Sequence, residues 1–273
     1  MLAAGKHTVI KFSSNIRKNS PHSRQTPMTG ANRYAHGLEV VAKCDTIQIR
    51  LNSRVMLIDM RLDHVSYAVG PEGLRATADK MAEKLGIDWV NGGVHPRFGT
   101  RNLFFPMKNR QYFEIVEVLE HPAAEKAPFG QAVRARSSMG GGWMGWVVSV
   151  DDLTPFEERL DRRSVPGART FPDGRTLEWQ QIGIKGLIAD PQVPYILRWN
   201  DGTEDLHPSQ AEPAEASIES ITIAGNRPRV RDWLGLSDSD ELVEDLNIKY
   251  ISPSGTPGIA EVTFETPNGL VTV

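Results

Sequence analysis

His64 and Glu114 are the two residues of this 273-residue chain whose types and setting best suit chemistry. His64 stands in RLDHVSYAV, residues 61–69, and Glu114 in QYFEIVEV, residues 111–118. Side chains alternate between the faces of a strand, so His64, Ser66 and Ala68 share one face and Val65, Tyr67 and Val69 the other. The second stretch divides in the same way, with Tyr112, Glu114 and Val116 opposite Phe113 and Ile115. If the apolar faces pack under a helix, His64 and Glu114 look together into the concave side of one sheet. An imidazole and a carboxylate there can share a metal ion or a proton. The plainer alternative for His64 is an ordinary hydrogen-bonded strand histidine. A carboxylate among Tyr112, Phe113, Ile115 and Val116 is costly to bury without a partner. Glu117 falls on the other face and reads as a solvated charge.

The elements between them make a compact unit. Leu74, Ala78, Met81, Ala82 and Leu85 form one helical stripe over residues 73–85, and Gly86 supplies a left-handed stop. Strands follow at 87–90 and 101–105, joined by the loop NGGVHPRFGT, so the order is β-α-β-β-β. His95 in that loop can reach a cavity mouth or simply hold a turn, and Asn102 can offer an amide to a substrate oxygen.

Taken together, LDHVSYAV, GGVHPRFGTRN, YFEIVEV, PYILRW and LHPS resemble the glyoxalase-like domain family of the vicinal oxygen chelate superfamily, over roughly Arg61 to the C-terminus. The resemblance implies an α+β fold of tandem βαβββ modules forming a cupped mixed sheet around a cavity. It also implies a divalent metal held by residues of the first and fourth strands of both modules, with lyase, isomerase or dioxygenase activity. His64 and Glu114 match two of those ligand positions, and Asn102 matches the family's GTxN segment.

A second module spans residues 143–200, after the Pro- and Gly-containing linker 121–142. Its run MGGG is not a phosphate loop, since no GK[ST] follows. Aligning HVSYAVG with GWVVSVD puts Gly145 where His64 stood, and aligning FEI with LRW puts Arg198 where Glu114 stood. The metal site is therefore incomplete and any divalent ion weakly held. A guanidinium in place of a carboxylate would favour an anionic ligand such as a carboxylate or enolate, unless Arg198 is a structural ion pair. The acidic, Pro-containing stretch 201–216 is a second linker. Residues 217–273 make a third, shorter βαβββ unit, with strand 217–224, a short helix from Pro228 and a hairpin around Asn268-Gly269.

The net charge of −3 conceals an asymmetry: residues 1–59 hold nine Lys or Arg against three acids, and the remainder 22 against 31. An acidic body argues against nucleic acid as a partner, and no apolar run is long enough to span a membrane. The single Cys44 fits a reducing, cytoplasmic setting. Residues 1–59 read as a disordered or non-native leader with no core-forming period, apart from a candidate edge strand within 45–57. Two other readings fit the same fold: a non-catalytic protein that sequesters a small molecule, and a scaffold whose strand edges pair into a homodimer.

Overall fold

The computed structural model describes residues 38–43, 46–51, 60–211, 215–236, 247–252 and 255–273. Two short strands, β1 (Leu38–Lys43) and β2 (Thr46–Leu51), pair antiparallel as a separate unit within the stretch expected to be a leader. The expectation for residues 1–37 lies outside the described residues.

The remaining elements fold as one body. A strand, β3 (Met60–Ala68), leads into helix α1 (Gly73–Leu85), then β4 (Val90–His95), β5 (Thr100–Met107) and β6 (Gln111–Val118). Helix α1 buries Leu74, Ala78, Met81 and Leu85 and stops at Gly86, whose φ of 68° is left-handed. The expected stripe and stop are thus where the sequence puts them, but β4 begins three residues late and takes in Gly92 to His95, which reads as loop in the sequence.

Two helices occupy the expected first linker, α2 (Pro122–Lys126) and α3 (Pro128–Ser138). After them come β7 (Gly142–Val150), α4 (Thr154–Leu160), β8 (Val165–Thr170), β9 (Thr176–Ile182), the single turn α5 (Gly186–Ala189) and β10 (Tyr195–Trp199). The run Gly140, Gly141, Gly142 turns α3 into β7 with φ of 97°, 83° and 119°. A Cβ on Gly141 would meet the Gly70 nitrogen at 2.5 Å, so only glycine fits that approach.

Eight strands close into a barrel in the order β10-β7-β3-β6-β5-β4-β8-β9. Strands β3 and β6 pair in parallel, as do β7 and β10, while the long antiparallel ladder β3·β7 joins the two halves from Met60↔Val150 to Ala68↔Gly142. The opposite closure, β4·β8, rests on the single pair Val94↔Thr170.

The third unit, β11 (Ser217–Ala224), α6 (Arg227–Leu234), β12 (Asn247–Ile251), β13 (Gly258–Thr266) and β14 (Gly269–Thr272), forms its own sheet in the order β12-β11-β13-β14. Its Ile221, Trp233 and Phe264 join the outer faces of the barrel strands, including Val65, Phe113 and Trp146, in one continuous core. A second apolar cluster fills the barrel end around α3, with Phe98, Phe129, Val133, Val147 and Leu197. These two clusters leave one inward-facing patch of polar side chains between them. Among the described residues, no helix is long and apolar enough to cross a membrane.

Candidate functional site

Parallel pairing of β3 with β6 sets the polar wall of the cavity. The register His64↔Tyr112 and Ser66↔Glu114 puts His64 and Glu114 on neighbouring strands, one step apart diagonally, and both line the same cavity. Each has its own partners. Glu114 accepts from Ser66 Oγ at 2.7 Å and from Asn102 Nδ2 at 2.9 Å, so both carboxylate oxygens are occupied by neutral donors.

The histidine is held by an acid that strand alternation does not bring to it. The β3·β7 ladder slips between Leu62 and His64, and this bulge lets Asp63 turn inward beside its neighbour. His64 Nδ1 lies 2.7 Å from Asp63 Oδ1, both buried, and His64 Nε2 lies 3.0 Å from the Tyr195 hydroxyl. With Asp63 accepting, Nδ1 carries the hydrogen and Nε2 is left as a base that accepts from Tyr195. The Tyr112 ring stacks on the imidazole at 4.2 Å and an angle of 21°.

Asp63 has three further partners, two of them distant in the chain. Trp199 Nε1 donates to its Oδ2 at 2.8 Å, His207 Nε2 stands 3.4 Å away and Arg61 Nη1 3.3 Å away. Burial pushes this carboxyl up, but the hydrogen bonds and charge of His207 and His64 outweigh it and hold it well below the ordinary range. Asp63 is therefore an anion, able to steady an imidazolium. Burial drives the Tyr112 and Tyr195 phenols well above their usual value, so both remain neutral donors.

The other wall comes from the second half of the chain and is mostly apolar. The register Val147↔Tyr195 in β7·β10 repeats His64↔Tyr112 in β3·β6, which sets Val147 in the place of His64 and Leu197 in the place of Glu114. The sequence alignment that put Gly145 and Arg198 there is off, by one residue for the arginine and by two for the glycine. Tyr195, Leu197 and Trp199 line the cavity, so by alternation Arg198 points outward, where it donates to the Asp151 carbonyl at 2.8 Å and to Asp201 at 2.7 Å. Arg198 is thus set in the structural pairing that the sequence leaves as its alternative. Asn102 reaches Glu114 rather than the cavity itself, and its Oδ1 has no partner.

His95 does line the cavity, from the end of β4, bonded through Nδ1 to Thr100 Oγ1 at 2.9 Å. Burial lowers its pKa to about 4, so at neutral pH it is an uncharged ring. The cation inside is Arg169 of β8, 2% exposed and walled by Phe104 and Phe171. Its Nε and Nη2 have no hydrogen-bond partner.

Sequence reasoning misses Asp63, Tyr112, Tyr195, His207 and Arg169 as site residues. The clue for Arg169 is its place in VPGART, immediately before the turn FPDG, which marks a hairpin whose strands are β8 and β9. Nothing local reveals the bulge at Asp63. The enclosed space is small, about 20 Å³, room for an ordered water. A larger ligand enters only if part of this lining moves.

The donor set does not suit a divalent ion. Four ligand positions are implied by the resemblance, and two of them hold Val147 and Leu197. Of the other two, Glu114 already accepts a hydrogen bond at each oxygen, His64 has only Nε2 to give, and the Arg169 guanidinium lining the same space repels a second cation. Among the described residues, no group of three or more His, Cys, Asp or Glu side chains could hold a metal ion.

A family model described as glyoxalase-like domain matches residues 62–236. No curated protein matches the chain. Among solved structures, a hypothetical protein from Staphylococcus aureus is similar at 15% identity and a TM-score of 0.56, covering 75% of this chain and 90% of its own. Methylmalonyl-CoA epimerase from Mycobacterium tuberculosis has 16% identity and a TM-score of 0.34, over 51% of this chain and 86% of its own. The Streptomyces coelicolor methylmalonyl-CoA epimerase complexed with 2-nitronate-propionyl-CoA has 16% identity and a TM-score of 0.35, over 52% and 97%.

Proposed function

Because the chain belongs to the glyoxalase-like domain family, we propose that it acts on a small anionic molecule in the cavity lined by His64 and Glu114, by moving a proton rather than through a metal ion. The observation that carries this reading is the buried Asp63–His64 pair, with Nδ1 fixed at 2.7 Å and Nε2 turned to the cavity. A base needs its lone pair aimed at the reacting atom and its charged form stabilised, and Asp63 supplies both tautomer and counter-charge.

In the step proposed, His64 Nε2 takes a proton from a carbon next to a carbonyl or carboxyl group, the C–H electron pair moves into the adjacent C–C bond, and the carbonyl oxygen becomes an enolate oxyanion. The neutral hydroxyls of Tyr112 and Tyr195 stand beside Nε2, at 3.4 and 3.0 Å, and donate to that oxyanion. Tyr195 must leave Nε2 to do so, which the arriving substrate compensates with its own oxygen. Return of the proton from Nε2 to carbon completes an exchange or an isomerisation with no net redox change. Glu114, held by Ser66 and Asn102, fixes the wall on which this happens.

Solvent exchange tests the proposal. A panel of 2-oxo, 2-hydroxy and 2-methyl carboxylic acids incubated with the protein in deuterium oxide is followed by proton NMR for loss of the hydrogen next to the carboxyl or carbonyl group. At least one member exchanges, His64→Gln slows it by about a hundredfold or more, and Asp63→Asn slows it while displacing the pH profile. Binding of panel members with no exchange at any pH would leave the sequestering reading, which the Tyr195 cap on Nε2 favours.

A further inference from the structure

Arg169 is the buried charge that neither the fold nor the proton-transfer step accounts for. It is 2% exposed, lines the cavity and has no ion pair within 4 Å among the described residues. Its guanidinium carbon lies 4.5 Å from the Phe171 ring centroid and 5.1 Å from that of Phe104. The aromatic rings thus cover the guanidinium and leave its edge for hydrogen bonds. On that edge Nε and Nη2 have no partner. These two nitrogens are the side-on fork of an arginine, whose parallel N–H groups match the two oxygens of a carboxylate.

An arginine in such a place costs the fold a great deal unless something pairs with it. Glu114 does not: it forms no ion pair with Arg169 within 4 Å, and its oxygens accept instead from Ser66 and Asn102. Burial lowers the arginine's pKa, and Tyr112, Glu114 and Asp63 work against that from a distance. We infer that Arg169 is the receptor for the carboxylate of a small organic acid, gripped side-on through Nε and Nη2. The inference rests on the reading of the cavity as a ligand site and names the group that the site recognises. It also transfers to β8 the anion selection that the sequence suggests for Arg198.

Two measurements test it. The full-length protein is titrated calorimetrically with acetate, propionate, pyruvate and malonate, and with the matching amides. Carboxylates bind at least tenfold more tightly than their amides, Arg169→Gln removes that preference, and the outward-facing Arg198→Gln keeps it. Ligand-free Arg169→Met melts at a higher temperature than the wild type, because an unpaired buried charge has been replaced by an apolar chain of similar length. A lower melting temperature would make Arg169 a structural cation and overturn the inference. Amides that bind as well as carboxylates would also overturn it, with the cavity reading intact. If nothing on the panel binds, both fall.

Discussion

Charge inside the barrel is settled by burial residue by residue, and His95 shows it most directly. Desolvation drives its pKa to about 4, against a pull upward from Glu114. In an unfolded chain a histidine titrates near 6.5. Between pH 6.5 and about 4 the unfolded chain therefore carries a proton that the native one lacks, and stability falls as pH drops through that window. The buried His207 is lowered too, chiefly by desolvation, and adds to the same loss. Asp63 acts lower down, since its carboxyl titrates below the ordinary 3.8. His95→Gln keeps a partner for Thr100 and removes one titration, so the unfolding free energies from urea titrations at pH 7 and pH 4.5 should draw closer by about 2 kcal/mol. An unchanged gap would show that His95 is already protonated in the native protein. At this scale the sequence was half legible. His64 and Glu114 follow from alternation and family pattern and His95 from its place in the loop NGGVHPRFGT, whereas Asp63 comes from a bulge and Arg169 from a strand that hydrophobic pattern does not mark.

Among the elements, α3 shows what a linker reading conceals. Proline and glycine flank residues 121–142 and suggest open chain, yet Pro128 starts a helix and Phe129, Ala132 and Val133 give it a buried stripe at helical spacing. That stripe closes the barrel end, with Phe129 4% exposed against Phe98 and beside His95. The second linker misleads in the same way, because His207 inside it reaches Asp63. Both stretches are short and polar enough to look solvated, and only tertiary contact reveals their buried sides. By contrast α1 and β11 are legible because their periods are long and clean. Phe129→Ala should cost about 3 kcal/mol of stability in urea. A cost below about 1 kcal/mol would mean that this ring does not close the barrel end.

At the scale of the molecule, the two halves of the barrel are fastened very unevenly. The ladder β3·β7 runs the length of both strands, while β4·β8 holds at Val94↔Thr170 alone. Backbones come close there because Gly93 has no side chain: a Cβ would sit 2.1 Å from the Thr170 carbonyl oxygen. Arg169 is the next residue along, and the cavity behind it holds about 20 Å³. A ring sewn firmly on one side and by one stitch on the other opens at the stitch, so this seam is where the barrel breathes. Local opening costs least where few hydrogen bonds must break. Hydrogen exchange should run at least tenfold faster at the seam-facing amides of residues 93–95 and 168–171 than in 62–68, and Gly93→Ala should quicken it further. Equal protection on both sides would mean that the ring stays shut. Where it opens, the gap exposes the arginine first, so the carboxylate proposed as ligand would meet its counter-charge at the threshold before it reached the histidine.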